Sequence, residues 1–176
     1  MKVVLRPKIV FKDASTRKQG ISAMLRVRNG EDYLESSILS VIDQVDEIVC
    51  VYNDCTDKTE SILCQLEKKY PKLIKVFHYV PKVYAPNTTG YLNADESSVH
   101  SLAYYYNFAL SKTTYCHVFK LDDDEIFFPN ILRELSKRVN EHAAIGLKGI
   151  NLIDYKNRLY VNKIGSHTAG TDTLLF

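Results

Sequence analysis

The segment HVFKLDDDEIFFP, residues 117–129, sets three aspartates and a glutamate in a row behind an apolar, strand-like run. Four adjacent carboxylates repel one another, and folding gains nothing by gathering them. A hard divalent cation accounts for them: Mg2+ or Mn2+ takes oxygen ligands and keeps waters and substrate phosphates as the remainder. Such an ion neutralises a diphosphate as it departs. If the strand continues through the row, Asp122 and Asp124 face one way and Asp123 and Glu125 the other. The competing reading is an exposed acidic turn at the start of a helix over 130–139, where negative charge is favoured.

Two further polar stretches follow strand-like runs. RVRNGED (26–32) closes the run GISAMLRV, and NDCTDKTE (53–60) closes DEIVCVY. Asn29 is expected to cap the next helix, with Asp32 three residues on, and Asp57 with Glu60 reads as a capping box for the one after. Helical spacing puts Leu34, Ile38, Val41, Ile42 and Val45 on one apolar face, and Ile62, Leu63, Leu66 and Tyr70 on another, stopped by Pro71. LIKVFHYV is a third strand. Residues 81–97, rich in Pro, Asn, Thr and Gly, read as a long loop, a kind more often functional than idle. A third helix spans 97–111, with Val99, Leu102, Ala103, Tyr106 and Leu110 inward and Tyr104 and Tyr105 partly exposed. YCHVFKL leads into the acidic row, NILRELSKRV is a fourth helix, and LKGINLID–YKNR–LYVNKI reads as a hairpin.

Strands alternating with helices predict an α/β fold with a Rossmann-like, mostly parallel central sheet flanked by helices and a C-terminal β-hairpin. Ligands of such sheets bind at the carboxyl ends of the strands, so all three polar loops should meet at one edge. The expected organisation is a basic N-terminal arm or edge strand (VVLRPKIVF) over 1–19, then a single domain over 20–176.

The whole chain of 176 residues has a formal net charge of +2, with acids and bases mixed, which is no nucleic-acid footprint. Only the first 18 residues are one-sided: Lys2, Arg6, Lys8, Lys12, Arg17 and Lys18 stand against Asp13. That arm suggests peripheral contact with an anionic membrane surface, or simply a solvated terminus. There is no spanning apolar run and no signal-peptide core. Cys50, Cys55, Cys64 and Cys116 fit neither a zinc site nor a disulfide framework, so reduced thiols in a cytoplasmic protein are expected, with Cys50, Cys64 and Cys116 in the core.

Three segments together resemble the family-2 glycosyltransferases of the A-type nucleotide-diphospho-sugar fold. ISAMLRVRNGEDYLESSILSVI is similar to that family's first strand, Asn-containing loop and first helix. DEIVCVYNDCTDKTESIL is similar to its second strand with an acidic or amide residue and an Asp-containing turn, and YYYNFALSKTTYCHVFKLDDDE to its Asn-Ala helix and Asp-x-Asp motif. The resemblance implies a metal-dependent donor site: Asp124 as the direct ligand of Mn2+ or Mg2+, and Asp122 on the ribose or a metal-bound water. It places Asn53 against the base, and Val27, Arg28 and Asn29 in the first loop against the nucleotide. It implies transfer of a sugar from a nucleotide diphosphate, UDP favoured, to the hydroxyl of a glycan or lipid-linked acceptor, with inversion, in cell-surface glycan or lipopolysaccharide-type synthesis; the basic arm points to the inner membrane surface as the place for it.

The sequence departs from that pattern at Tyr52, where an Asp is frequent, at Arg26 and Arg28 in the first loop, and at Tyr106, where an Arg is common. A general base is also needed to take the acceptor's proton. Only 52 residues follow Asp124, so the acceptor side reads as short or absent; Asp154, His167 and Asp172 are the candidates, and none is assigned. The alternatives are a catalytically incomplete nucleotide-binding module, or a nucleotidyltransferase, which would want more glycine than RVRNGED supplies.

Overall fold

The computed structural model describes residues 6–137, 145–147, 149, 152–156, 158–161 and 172–175. Four strands form the parallel heart of the sheet: β1 (Lys18–Val27), β2 (Glu47–Tyr52), β3 (Ile74–His78) and β4 (Tyr115–Leu121). Two short strands, β5 (Ile145–Leu147) and β8 (Asp172–Leu175), extend it antiparallel beyond β4, giving the order β3-β2-β1-β4-β8-β5. A separate hairpin pairs β6 (Leu152–Tyr155) with β7 (Arg158–Val161). The α/β architecture, the parallel sheet and the C-terminal hairpin are those the sequence predicts.

Helices α1 (Leu34–Val41) and α2 (Thr59–Lys69) cover one face of the sheet, and α4 (Leu102–Leu110) covers the other. The alternation of β1 decides which residue serves which face. Ile21, Ala23, Leu25 and Val27 pack with Leu34, Ile38, Leu63 and Leu66, whereas Met24 packs with Tyr79, Tyr105 and Phe108. The apolar faces predicted for the first two helices are the buried ones.

Several local expectations are corrected. Residues 6–12 form no strand; Arg6 instead donates to the Tyr104 hydroxyl and to the Ser97 carbonyl, and Tyr104 donates to the Pro7 carbonyl at 2.6 Å. The long loop contains a helical turn, α3 (Thr89–Asn93), capped by the Thr88 hydroxyl. Helix α4 starts later than expected and turns Tyr104 and Tyr105 inward, leaving Tyr106 half-buried. Their hydroxyls explain the inversion, because each finds a backbone acceptor: Tyr105 donates to Val51 O at 2.7 Å. All four cysteines are free; Cys50 is buried, while Cys64 and Cys116 are only partly so. Among the described residues no helix is long and apolar enough to cross a membrane.

One charge is buried at the start of β2. Glu47 is 1% exposed and accepts from the Ser22 hydroxyl at 2.6 Å, the Lys75 ammonium at 2.6 Å and the Thr114 amide. Burial alone would raise its pKa, but these donors outweigh burial and hold it below the usual glutamate range. Glu47→Gln should therefore cost about 2–3 kcal/mol in urea unfolding. Because the folded-state pKa is the lower one, this stabilisation is present above about pH 4.5 and fades as pH falls through the folded value. A pH series of urea melts, in which the parent loses its advantage over the variant only on the acid side, checks the sign.

Candidate functional site

In the order β3-β2-β1-β4 the strand order reverses between β1 and β4, which run parallel, and this makes their carboxyl ends the expected crevice. Leu25 of β1 is in register with Leu121 of β4, so residues 26–31 and the acidic row leave the sheet side by side. The loop after β2 joins them because Val27 is in register with Tyr52.

The first and second loops are laced together. Arg28 pairs with Asp54 at 2.9 Å, the Asn29 side-chain oxygen accepts from Thr56 N at 2.8 Å, and Gly30 N donates to the Thr59 hydroxyl at 2.9 Å. Glu31 N donates to Asp57 at 3.0 Å, and the Glu31 carboxylate accepts from Lys58 N at 3.0 Å. Asn29 and Asp54 both adopt left-handed backbone, at φ 57° and 48°, a conformation their short polar side chains tolerate. Asn29 thus ties two loops and does not cap α1, whose start has no side-chain cap. Asp57 accepts from Thr59 N as a cap should, but Glu60 does not complete the box: its carboxylate accepts from the Tyr52 hydroxyl at 2.7 Å. Tyr52 also stacks on His78 at 4.5 Å, so it fills space beneath the loop.

Asn53 is placed differently from the resemblance's expectation. It is 1% exposed, its two N–H groups donate to Tyr79 O and Pro81 O at 2.6 and 2.8 Å, and its oxygen accepts from Val83 N at 3.1 Å. With those atoms engaged by backbone, it staples the long loop to the sheet edge and does not face a base. Asn53→Ala should lower stability by about 2–3 kcal/mol through the buried groups it strands. The measurable companion is faster amide exchange confined to 79–101.

The acidic row is a turn, not a continued strand. Strand β4 ends at Leu121, and Glu125 N closes onto Asp122 O at 3.4 Å, so the predicted two-faced alternation is lost. Helix α1 and the turn after it grip the acidic turn with polar side chains that sequence periodicity passed over. Ser37 donates to Asp122 O at 2.8 Å, Ser40 accepts from Phe127 N at 3.1 Å, and Gln44 donates to Phe128 O at 3.1 Å and accepts from Leu132 N. Phe127 packs edge-on against Phe119 of the core, at 4.8 Å. The signal was present in the sequence as hydrogen-bonding residues at 37, 40 and 44 among the apolar positions Leu34, Ile38, Val41, Ile42 and Val45.

The carboxylates differ in their surroundings. Asp122 accepts from the Lys120 ammonium at 2.5 Å and lies 3.8 Å from the Arg26 guanidinium. Asp124 is exposed to solvent. Asp123 is half-buried, and burial, with the charges of Asp124, Asp122 and Asp57, raises its pKa against the pull of a backbone hydrogen bond. A side chain at Gly30 would collide with the Asp123 carboxylate and with Val27, which fixes how closely the first loop approaches the turn.

This is an excess of negative charge with hard oxygen donors, and it suits a divalent ion that needs one or two protein carboxylates. Among the described residues no group of three or more His, Cys, Asp or Glu side chains forms a complete protein cage, so such an ion would draw its other ligands from phosphate and water. The structure brings Val27, Arg28, Asn29, Asp122 and Asp124 to one edge, with the Val27 side chain in the core. Strand β8 pairs antiparallel with β4 through Val118–Leu175 and Phe119–Leu174, and Asp172 at its start is in register with Leu147 of β5. His167 lies outside the described residues. A cleft of about 450 Å3 adjoins the edge, lined by Tyr91, Leu92, Glu96, Leu102 and Tyr106. A larger one, about 580 Å3, lies at the opposite, amino ends of the strands around Gly20, Asp46 and His117.

A sequence model of the family described as "Beta-1,4-N-acetylgalactosaminyltransferase (CgtA)" matches residues 12–169. Among curated proteins none matches the chain. Among solved structures, S. aureus TarS 1-349 is similar at 22% identity and TM-score 0.47, over 72% of this chain and 34% of that one. M. tuberculosis glucosyl-3-phosphoglycerate synthase is similar at 23% and 0.40, over 64% and 37%. The same enzyme solved with Mn2+, uridine-diphosphate and phosphoglyceric acid gives 23% and 0.40, over 69% and 39%. The chain spans little more than a third of the length of each.

Proposed function

The chain belongs to the beta-1,4-N-acetylgalactosaminyltransferase (CgtA) family of glycosyltransferases, and from that premise we propose that its strand-end crevice is the donor site for a nucleotide-diphospho-sugar. The observation that carries the reading is the meeting of the first loop, the second loop and the acidic turn at the β1–β4 reversal. The donor proposed is UDP-N-acetylgalactosamine: the family description names the sugar, and the motif resemblance favours uridine. The acceptor is a hydroxyl of a glycan or lipid-linked glycan, and inversion is the stereochemistry the resemblance implies. Lys8, Lys12 and Lys18, all exposed on the N-terminal arm, offer positive charge to an anionic membrane surface carrying such an acceptor.

Within the site, Asp124 and Asp122 would hold Mn2+ or Mg2+. The ion supplies neutralisation of the diphosphate leaving group. Asp122, already answered by Lys120 and close to Arg26, is suited to accept a hydrogen bond from a donor hydroxyl or a metal-bound water, which leaves the direct ligand role to the exposed Asp124. Val27, Arg28 and Asn29 form the wall against the nucleotide. Asp172, the first residue of β8 beside β4, is the proposed general base that takes the acceptor's proton. Release of nucleoside diphosphate from UDP-N-acetylgalactosamine, UDP-glucose and GDP-mannose, each with Mn2+ and a galactose-terminated acceptor, tests the assignment. Consumption of the first in preference supports it; consumption of none removes it.

A further inference from the structure

Arg26 is the feature that the donor-site reading leaves unexplained. It leaves β1 on the α4 side, one pleat beyond Met24, and its side chain is only 9% exposed. Its guanidinium carbon lies 3.1 Å above the Tyr106 ring, a cation–π contact that sets the plane of the fork. The Nη2 end points toward the acidic turn, but the nearest carboxylate oxygen, Asp122 Oδ1, is 3.8 Å away, outside hydrogen-bond distance. The Nε is buried without a hydrogen-bond partner. A buried Nε–H without a partner is costly, and Asp122 answers only the far end of the fork, at 3.8 Å, while its other oxygen is drawn to Lys120 at 2.5 Å. Burial lowers the Arg26 pKa, opposed by Tyr106, Asp122 and Tyr105.

We infer that Arg26, held flat on Tyr106, is the clamp for the donor's diphosphate. A planar fork matches two oxygens of a phosphate, as a lysine's point charge does not. Tyr106 also lines the 450 Å3 cleft, so a diphosphate on Arg26 would stand at the mouth of a pocket for the group it carries. This inference rests on the donor-site reading and goes beyond it in naming the residue that tells a diphosphate from a monophosphate.

The test is calorimetric titration of UDP, UMP and uridine into the parent chain, Arg26→Lys and Arg26→Met, all with Mn2+. The parent should prefer UDP to UMP. Arg26→Met should weaken UDP about 10- to 100-fold and UMP by less than about threefold, with Arg26→Lys between. Equal losses for UDP and UMP, or no loss, would overturn the clamp while leaving the donor site standing; a parent that binds no nucleotide would remove both. Should the Met variant not fold, the Arg26 Nε–H resonance of the parent chain decides. It should shift on adding UDP or inorganic pyrophosphate and stay put with uridine, and a signal unmoved by all three contradicts the inference.

Discussion

Asp124→Ala is expected to slow release of UDP from UDP-N-acetylgalactosamine by about 100- to 1,000-fold, which corresponds to about 3–4 kcal/mol of transition-state stabilisation. The side chain is exposed and makes no hydrogen bond or ion pair among the described residues, so the melting temperature should stay within a degree or so of the parent's. The neighbouring Asp122→Asn should behave differently. Lys120 and Arg26 already compensate that carboxylate, so its loss also leaves two cations facing each other and should lower both turnover and stability. An Asp124→Ala chain that turns over donor at the parent's rate would make the acidic row a helix-start turn after all.

The second large effect is expected at Asp172. If it takes the acceptor's proton, Asp172→Asn should reduce kcat by about 100- to 10,000-fold while UDP affinity is unchanged. The separation matters because the two residues belong to different strands: Asp124 follows β4, and Asp172 opens β8, which is antiparallel to it. Loss of UDP binding in Asp172→Asn would mean that the residue serves the donor and not the acceptor. Unchanged turnover would return the role of base to a residue outside those described, with His167 next to be tested.

Most of the scaffold was legible because it is written in local periodicity. The runs 20–27, 46–52, 73–80 and 115–121 announce strands, and the apolar spacing of Leu34, Ile38 and Val41 or Leu63 and Leu66 announces helix faces. The convergence of three polar loops followed from strand direction alone. What was misread depends on partners distant in sequence. Asn53 looks like a ligand group until Tyr79, Pro81 and Val83 are seen to occupy it. Asn29 looks like a helix cap until Thr56 is seen beside it. Tyr104 and Tyr105 were expected partly exposed, but their hydroxyls reach Pro7 and Val51 across the sheet face.

The alternation expected for the acidic row failed at a boundary, since the strand stops one residue before it and the turn redirects every carboxylate. Arg26 and Tyr106, two departures from the family pattern that were read separately, are a single contact in the fold. No pattern within a window of ten or twenty residues could have paired positions 80 apart.

The most direct test of the donor site is calorimetric titration of UDP into the parent chain and Asp124→Ala, each with Mn2+ and with a chelator. The account predicts measurable binding by the parent with Mn2+, strong weakening on chelation, and equally weak binding by Asp124→Ala whether or not the metal is present. Binding that is indifferent to both the metal and Asp124, or no binding by the parent at all, would contradict it.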